Sequence, residues 1–362
     1  MIHPLLERYA GLLVGYCTSV APGEQVMLQV DTAALPLARA LMRAVLRAGG
    51  EPHLRLTYPE MAFDQLELAS DELLASEPAA LLEEMRHMDV FVRVAAPEND
   101  RALTDESEER SARMARRMQP VQRRRLEGTR WVTTLFPTAA AAQQAGMSTD
   151  AYERFVFDAM FLFDDDPAER WRELGRRQRR WVERLVTADE VRIEGPGTNL
   201  RLRVGGRSWV NSDGKRNMPS GEVFTSPLED SAEGTITFAV PSNVQGAVVE
   251  NVRLRFERGK VVEATAERGQ ELLNARLDTD AGARYLGELG IGTNPHILRP
   301  TFKTLFDEKI LGTVHLALGR SYVETGGTND SAIHWDLVCD LRHEGRVTVD
   351  GETILQDGEL RD

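Results

Sequence analysis

His334 and Asp336 stand two residues apart in Ala332-Ile333-His334-Trp335-Asp336-Leu337-Val338, a run whose side chains alternate as a β-strand's do. Ile333, Trp335 and Leu337 fall on one face, and the imidazole and carboxylate project together from the other. An imidazole and a carboxylate held one pleat apart can grip a divalent ion. Four more residues of ligand type precede them: Glu222, Glu288, Glu308 and His315.

Each candidate sits on a strand or a glycine-rich segment. Glu222 follows Pro219 and Gly221, which impose an irregular backbone, and precedes the apolar pair Val223-Phe224. Glu288 lies among Gly287, Gly290 and Gly292, where the backbone can approach another group closely. His315 is set in an apolar strand, Gly312 to Gly319, and Glu308 stands just ahead of it. Tyr322 follows seven residues after His315 and reads either as a core aromatic or as a phenol donor. Two histidines with two or three carboxylates suit zinc, cobalt, manganese or magnesium. With this many carboxylates, one of them bridging two ions becomes plausible chemistry, and a paired-ion site activates water for hydrolysis.

Competing motifs are absent from the sequence. Asp31-Thr32-Ala33-Ala34 follows the first strand in place of a dinucleotide-binding glycine pattern, and there is no HExxH, GxSxG or Walker sequence. The net charge of −13 argues against nucleic acid as a partner. A local arginine cluster from Arg113 to Arg130 reads as a solvated helix face. No run of about 18 apolar residues offers a membrane span. Met1 to Tyr16 lacks the pattern of a secretory signal, so a cytoplasmic protein is expected. Cys17 and Cys339, both among apolar neighbours, read as buried free thiols.

These residues need a scaffold, and 362 residues suggest two domains. Strands at 25–30, 53–58, 89–94 and 131–136 alternate with helical segments, which predicts a parallel sheet flanked by helices. Asp166-Pro167-Ala168-Glu169 opens a helix that should run to about Val186. Beyond it, short strands with glycine-bearing turns predict a β-rich, mostly antiparallel α+β domain, with helical pattern returning around 270–287. The expected division is an N-terminal α/β domain over 1–187 and a C-terminal metal-binding domain over 188–362.

Four stretches together resemble the aminopeptidase T family, the M29 metallopeptidases: 217–227, 288–294, 307–319 and 331–336. The resemblance implies an exopeptidase acting on peptides, with two divalent ions per chain and a homodimeric assembly. It implies Glu222, Glu288, His315, His334 and Asp336 as metal ligands, with Glu288 as the bridge. Tyr322 then matches a tyrosine able to reach the metal site, and Glu308 a catalytic acid whose role as ligand, base or supporting group stays open. Two alternatives remain. One is a ring-opening dioxygenase of the dihydroxypyridine type, holding one iron with His315, His334 and Asp336. The other is a non-catalytic binding relative.

Overall fold

A computed structural model describes residues 3–99, 101, 107–244 and 246–361. The chain forms two compact units: 1–170 with 214–219, and 171–213 with 220–362.

The first unit is built on a five-stranded parallel sheet. Its strands run in the order Glu51–Thr57, Gln25–Asp31, Val90–Ala95, Arg130–Leu135 and Asn217–Met218. The first four match the strands expected from the alternating pattern, and their central members are almost wholly buried. The two-residue fifth strand is too short to register as a pattern. The arginine-rich segment is the helix Glu108–Gly128. Its face is more than solvated: Arg110, Arg117 and Arg124 donate to the backbone carbonyls of Leu66, Leu73 and Arg86. These contacts tie the helix to carbonyls in the last turns of its neighbours.

The helix Pro167–Leu185, most of which belongs to the second unit, begins as expected, with the Asp166 carboxylate accepting from the Glu169 N–H at 3.0 Å. Its buried Gln178 donates to the Glu222 carbonyl at 2.5 Å and to the Ser212 carbonyl at 3.1 Å. Two large antiparallel sheets follow, beside a two-stranded pairing of Ser242–Val244 with Ala247–Val249. One has eight strands between Glu190 and Leu360. The other has five, in the order His334–Asp340, Thr313–Gly319, Leu286–Gly292, Glu222–Thr225 and Val210–Ser212. Both sheets contribute to one apolar core, Ile193, Leu200 and Phe256 from the first and Leu289, Leu316 and Leu337 from the second.

One expected element is replaced. The helical pattern placed over 270–287 gives a helix only over Gln270–Leu277, and Leu286–Gly292 is a strand. Asp280 ends the helical path by accepting from the N–H groups of Gly282 and Ala283. The three glycines that follow are poor helix formers, while Leu289 and Ile291 alternate as a strand requires. Both cysteines are buried, and neither forms a disulfide. No helix among the described residues is long and apolar enough to cross a membrane.

Candidate metal centre

Register in the five-stranded sheet decides which side chains meet. Gly319 lies opposite His334, Ala317 opposite Asp336, and His315 opposite Val338. Glu288 pairs with Ala317 and Gly290 with His315, while Glu222 pairs with Gly292. Directly opposed residues share a face. Glu222, Glu288, His315, His334 and Asp336 therefore project from one side of the sheet. Val223, Leu289, Leu316, Trp335 and Leu337 take the other side and fill the core.

The floor beneath the polar cluster is made of small residues because larger ones do not fit. A Cβ on Gly290 would lie 2.0 Å from the His315 ring, and one on Gly292 would lie 2.1 Å from the Ile310 carbonyl oxygen. A Cβ on Gly287 would lie 2.4 Å from the Arg320 carbonyl oxygen. That same oxygen is 2.7 Å from His334 Nδ1, so it accepts the Nδ1–H and leaves Nε2 aimed into the cluster. Gly221, with φ of +111°, turns the chain into Glu222 and approaches Asn294, whose side-chain amide donates to the Ser220 carbonyl.

Glu288 sits between the two histidines and divides its oxygens between them. Oε1 is 3.4 Å from His315 Nε2, and Oε2 is 3.2 Å from His334 Nε2. Glu222 Oε2 is also 3.4 Å from His315 Nε2, and Asp336 Oδ1 is 3.5 Å from His334 Nε2. Donor atoms thus converge in three overlapping triads: Glu222–Glu288–His315, Glu288–His334–Asp336, and Glu308–His315–Asp336. Within each triad these atoms lie within 4.8 Å of one another.

Glu222 and Glu288 are each 4% exposed, and His315 is fully buried. Isolated charges at such depth carry a heavy desolvation cost. Glu222 Oε2, Asp336 Oδ1 and His315 Nδ1 lack hydrogen-bond partners. Unsatisfied donor atoms, borderline-to-hard ligand chemistry and two triads sharing one carboxylate all fit divalent ions.

The charges also couple. Burial opposes protonation of His315, but the hydrogen bond it donates to Glu288 and the charge of Glu222 outweigh it and push the imidazole up to about 9. Burial likewise opposes His334, yet Asp336 and then Glu288 raise it to about 11. Burial would raise Asp336, but the charge of His334 dominates and brings it down to about 2. Burial lifts Glu308 to about 8, with Glu222 and Asp336 adding to the rise and Lys309 opposing it. Without bound ions, both imidazoles thus carry protons that a metal must displace. Zn²⁺ uptake by the metal-free chain at about pH 7.5 should release protons, and affinity should climb as pH rises toward 9. Calorimetry in buffers of different ionisation enthalpy reads both; uptake without proton release would show the histidines to be neutral.

Tyr322 lies at the rim, 42% exposed, its ring 5.0 Å from the His334 ring and 5.5 Å from that of Phe224. Burial of part of the side chain and the charge of Glu288 hold its phenol above the ordinary value, so it stays a proton donor. Glu308 caps the one-turn helix Thr304–Asp307 and contacts the ammonium of Lys309.

Lys309 has no place among the candidates that the sequence suggests. Its side chain is fully buried, with Nζ 3.2 Å from Glu222 Oε1. A lysine next to a glutamate reads as an ordinary turn charge, and only the apolar run Ile310-Leu311 hints otherwise. Gln178 is also missed, since a glutamine on an arginine-rich helix gives no sign of being buried.

Residues 2–360 match the family described as thermophilic metalloprotease (M29). The chain belongs to the M29 metallopeptidase family. It is 30% identical to aminopeptidase 2 of Geobacillus stearothermophilus, over 98% of this chain and 97% of that one. With aminopeptidase T of Thermus thermophilus it shares 29% identity over 98% and 95% of the two chains. The solved structure of wild-type AmpT from Thermus thermophilus superposes with a TM-score of 0.84 at 28% identity, covering 99% of each chain. The α/β fold with a β-rich C-terminal part, expected from the order of strands and helices, is shared with that structure. A 2,5-dihydroxypyridine dioxygenase from Pseudomonas putida shares the fold at a TM-score of 0.59 and 16% identity, over 100% of this chain and 98% of that one.

Proposed function

We propose that this M29 protein is a metal-dependent aminopeptidase that holds two divalent ions per chain and removes N-terminal residues from peptides. The observation that carries the reading is the position of Glu288 between His315 and His334, one oxygen toward each. Glu222, Glu288 and His315 would hold one ion, and Glu288, His334 and Asp336 the other. Zinc, cobalt, manganese and magnesium all suit these donors. Ions bound there would supply Lewis acidity and lower the pKa of a water.

The chain's own groups do the rest. Glu308, whose carboxylate shares a donor triad with His315 and Asp336, can take a proton from the attacking water and return it to the leaving amine. Lys309 engages one oxygen of each glutamate, and Glu222 is worse placed for that task because its other oxygen faces His315. Tyr322 donates its phenolic O–H to the oxyanion that develops at the scissile carbonyl. The free amino terminus of the substrate would bind one of the ions or a nearby acid, which confines cleavage to the first residue. A homodimeric, cytoplasmic enzyme belongs to the same reading.

The retention of Glu222 and Glu288 in the cluster favours hydrolysis over the dioxygenase alternative, since one iron held by His315, His334 and Asp336 gives neither glutamate a ligand role. Purified protein should contain two ions per chain and hydrolyse aminoacyl-nitroanilides and free-amine peptides, while N-acetylated peptides survive. A single iron together with oxygen uptake on a hydroxypyridine would replace this reading with the oxygenase.

Tyr322→Phe keeps the ring contacts with Phe224 and His334 and removes only the donor. We expect kcat to fall roughly 10²- to 10³-fold, the range for one oxyanion donor, with metal content unchanged. An unaltered kcat would leave Tyr322 as a wall of the site.

A further inference from the structure

Lys309 takes no part in the steps above, yet its fully buried ammonium borders the donor cluster on one side only. Its ion pairs among the described residues are with Glu222 and Glu308. Two of the three donor triads therefore border it, Glu222–Glu288–His315 through Glu222 and Glu308–His315–Asp336 through Glu308. The triad Glu288–His334–Asp336 contains neither partner.

The two candidate positions share Glu288 and each add one histidine and one carboxylate, so their ligand chemistry is alike. Their surroundings differ. Lys309 already engages Oε1 of Glu222, leaving Oε2 to face His315. A dication entering there must share Glu222 with a fixed positive charge and is repelled by it, in an interior where such charges are poorly screened. An ion beside His334 and Asp336 has no ligand in an ion pair with Lys309 among the described residues, and the charge of Lys309 reaches Asp336 only from a distance.

We propose that Lys309 is a positioning residue that makes the two metal positions unequal, so that Glu288–His334–Asp336 fills first and tightly and Glu222–Glu288–His315 fills second and weakly. The proposal rests on the two-ion reading above. Its consequence is that turnover follows free metal concentration across the weaker constant, while the tighter ion stays with the chain. Lys309 also fixes the carboxylate of Glu222 in one orientation, so the weaker position is built before its ion arrives.

The test is a titration of the chelator-stripped, full-length chain with Co²⁺ alone, followed by calorimetry. Wild type should take up two ions in steps separated by about tenfold or more in Kd. His334→Ala should remove the tight step, and Glu222→Gln the weak one. Lys309→Met keeps the apolar stem without the charge and should tighten the weak step, bringing the two within about threefold. Two equal steps in wild type, a weak step that survives Glu222→Gln, or an unchanged gap in Lys309→Met overturns the proposal. Should circular dichroism show Lys309→Met unfolded, the assignment of the two steps by His334→Ala and Glu222→Gln decides alone. Uptake of fewer than two ions by wild type strikes the two-ion reading itself, which stoichiometry separates from equal affinities at two sites.

Discussion

Replacing Glu288 with Ala should abolish two-ion binding and lower kcat by about a thousandfold or more, corresponding to at least about 4 kcal/mol of lost transition-state stabilisation. Glu288 is the residue common to the Glu222–His315 and His334–Asp336 sides of the cluster, so its loss opens both triads at once. The fold should survive, because the neighbouring Leu289 and Ile291 that anchor this strand in the core are untouched. In the absence of metal the variant should melt at a lower temperature than wild type. The reason is electrostatic: Glu288 accepts from both protonated imidazoles, which despite burial hold its carboxyl below the usual range, and its loss leaves two buried cations without that shared partner. Metal analysis, nitroanilide turnover and a thermal melt with and without chelator read the three parts. Wild-type turnover with two ions retained would remove Glu288 from the site.

The second large effect is expected at a residue with no functional group. In Gly290→Ala the new Cβ would lie 2.0 Å from His315 Cε1, nearer than non-bonded carbons come. His315 is packed on all sides and fully buried, so the ring cannot move aside without displacing Glu222 and Glu288. We expect a loss of about 1–3 kcal/mol of stability from overpacking. Activity should fall by a larger factor, about 10²-fold, from misplacing a ligand. Gly15→Ala is the matched control, since a Cβ there meets nothing within 4 Å. Saturating metal should not rescue Gly290→Ala, because the defect is in geometry rather than in charge. Full activity at high metal would show that the sheet yields at this point.

Much of the site is legible in the sequence for a simple reason. The strand His334–Asp340 has a period of two, so the partition of His334 and Asp336 from Trp335 and Leu337 follows from covalent geometry alone. The strand Thr313–Gly319 offers the same pattern, though its uniformly buried run hides which face His315 occupies. Glu288 is less legible, because a predicted helix over 270–287 masks the strand that carries it; the glycines around it are the better clue. Their role as a floor under His315 and beside the Arg320 carbonyl depends on which strand lies next door.

By itself, then, the sequence determined the residue types of the cluster, the alternating faces that carry them, the parallel sheet ahead of them and the antiparallel strands that follow. Those are local properties, set by backbone period, turn chemistry and the order of elements along the chain. Tertiary structure alone decided that Glu288 stands between two histidines, that Gly290 must lack a side chain, and that Lys309 enters the cluster from one side. Cross-strand register and burial are relations between segments distant in sequence. A one-residue slip in any of those pairings would turn the ligands into the core and the core residues to the surface, with no change in the pattern that the sequence displays.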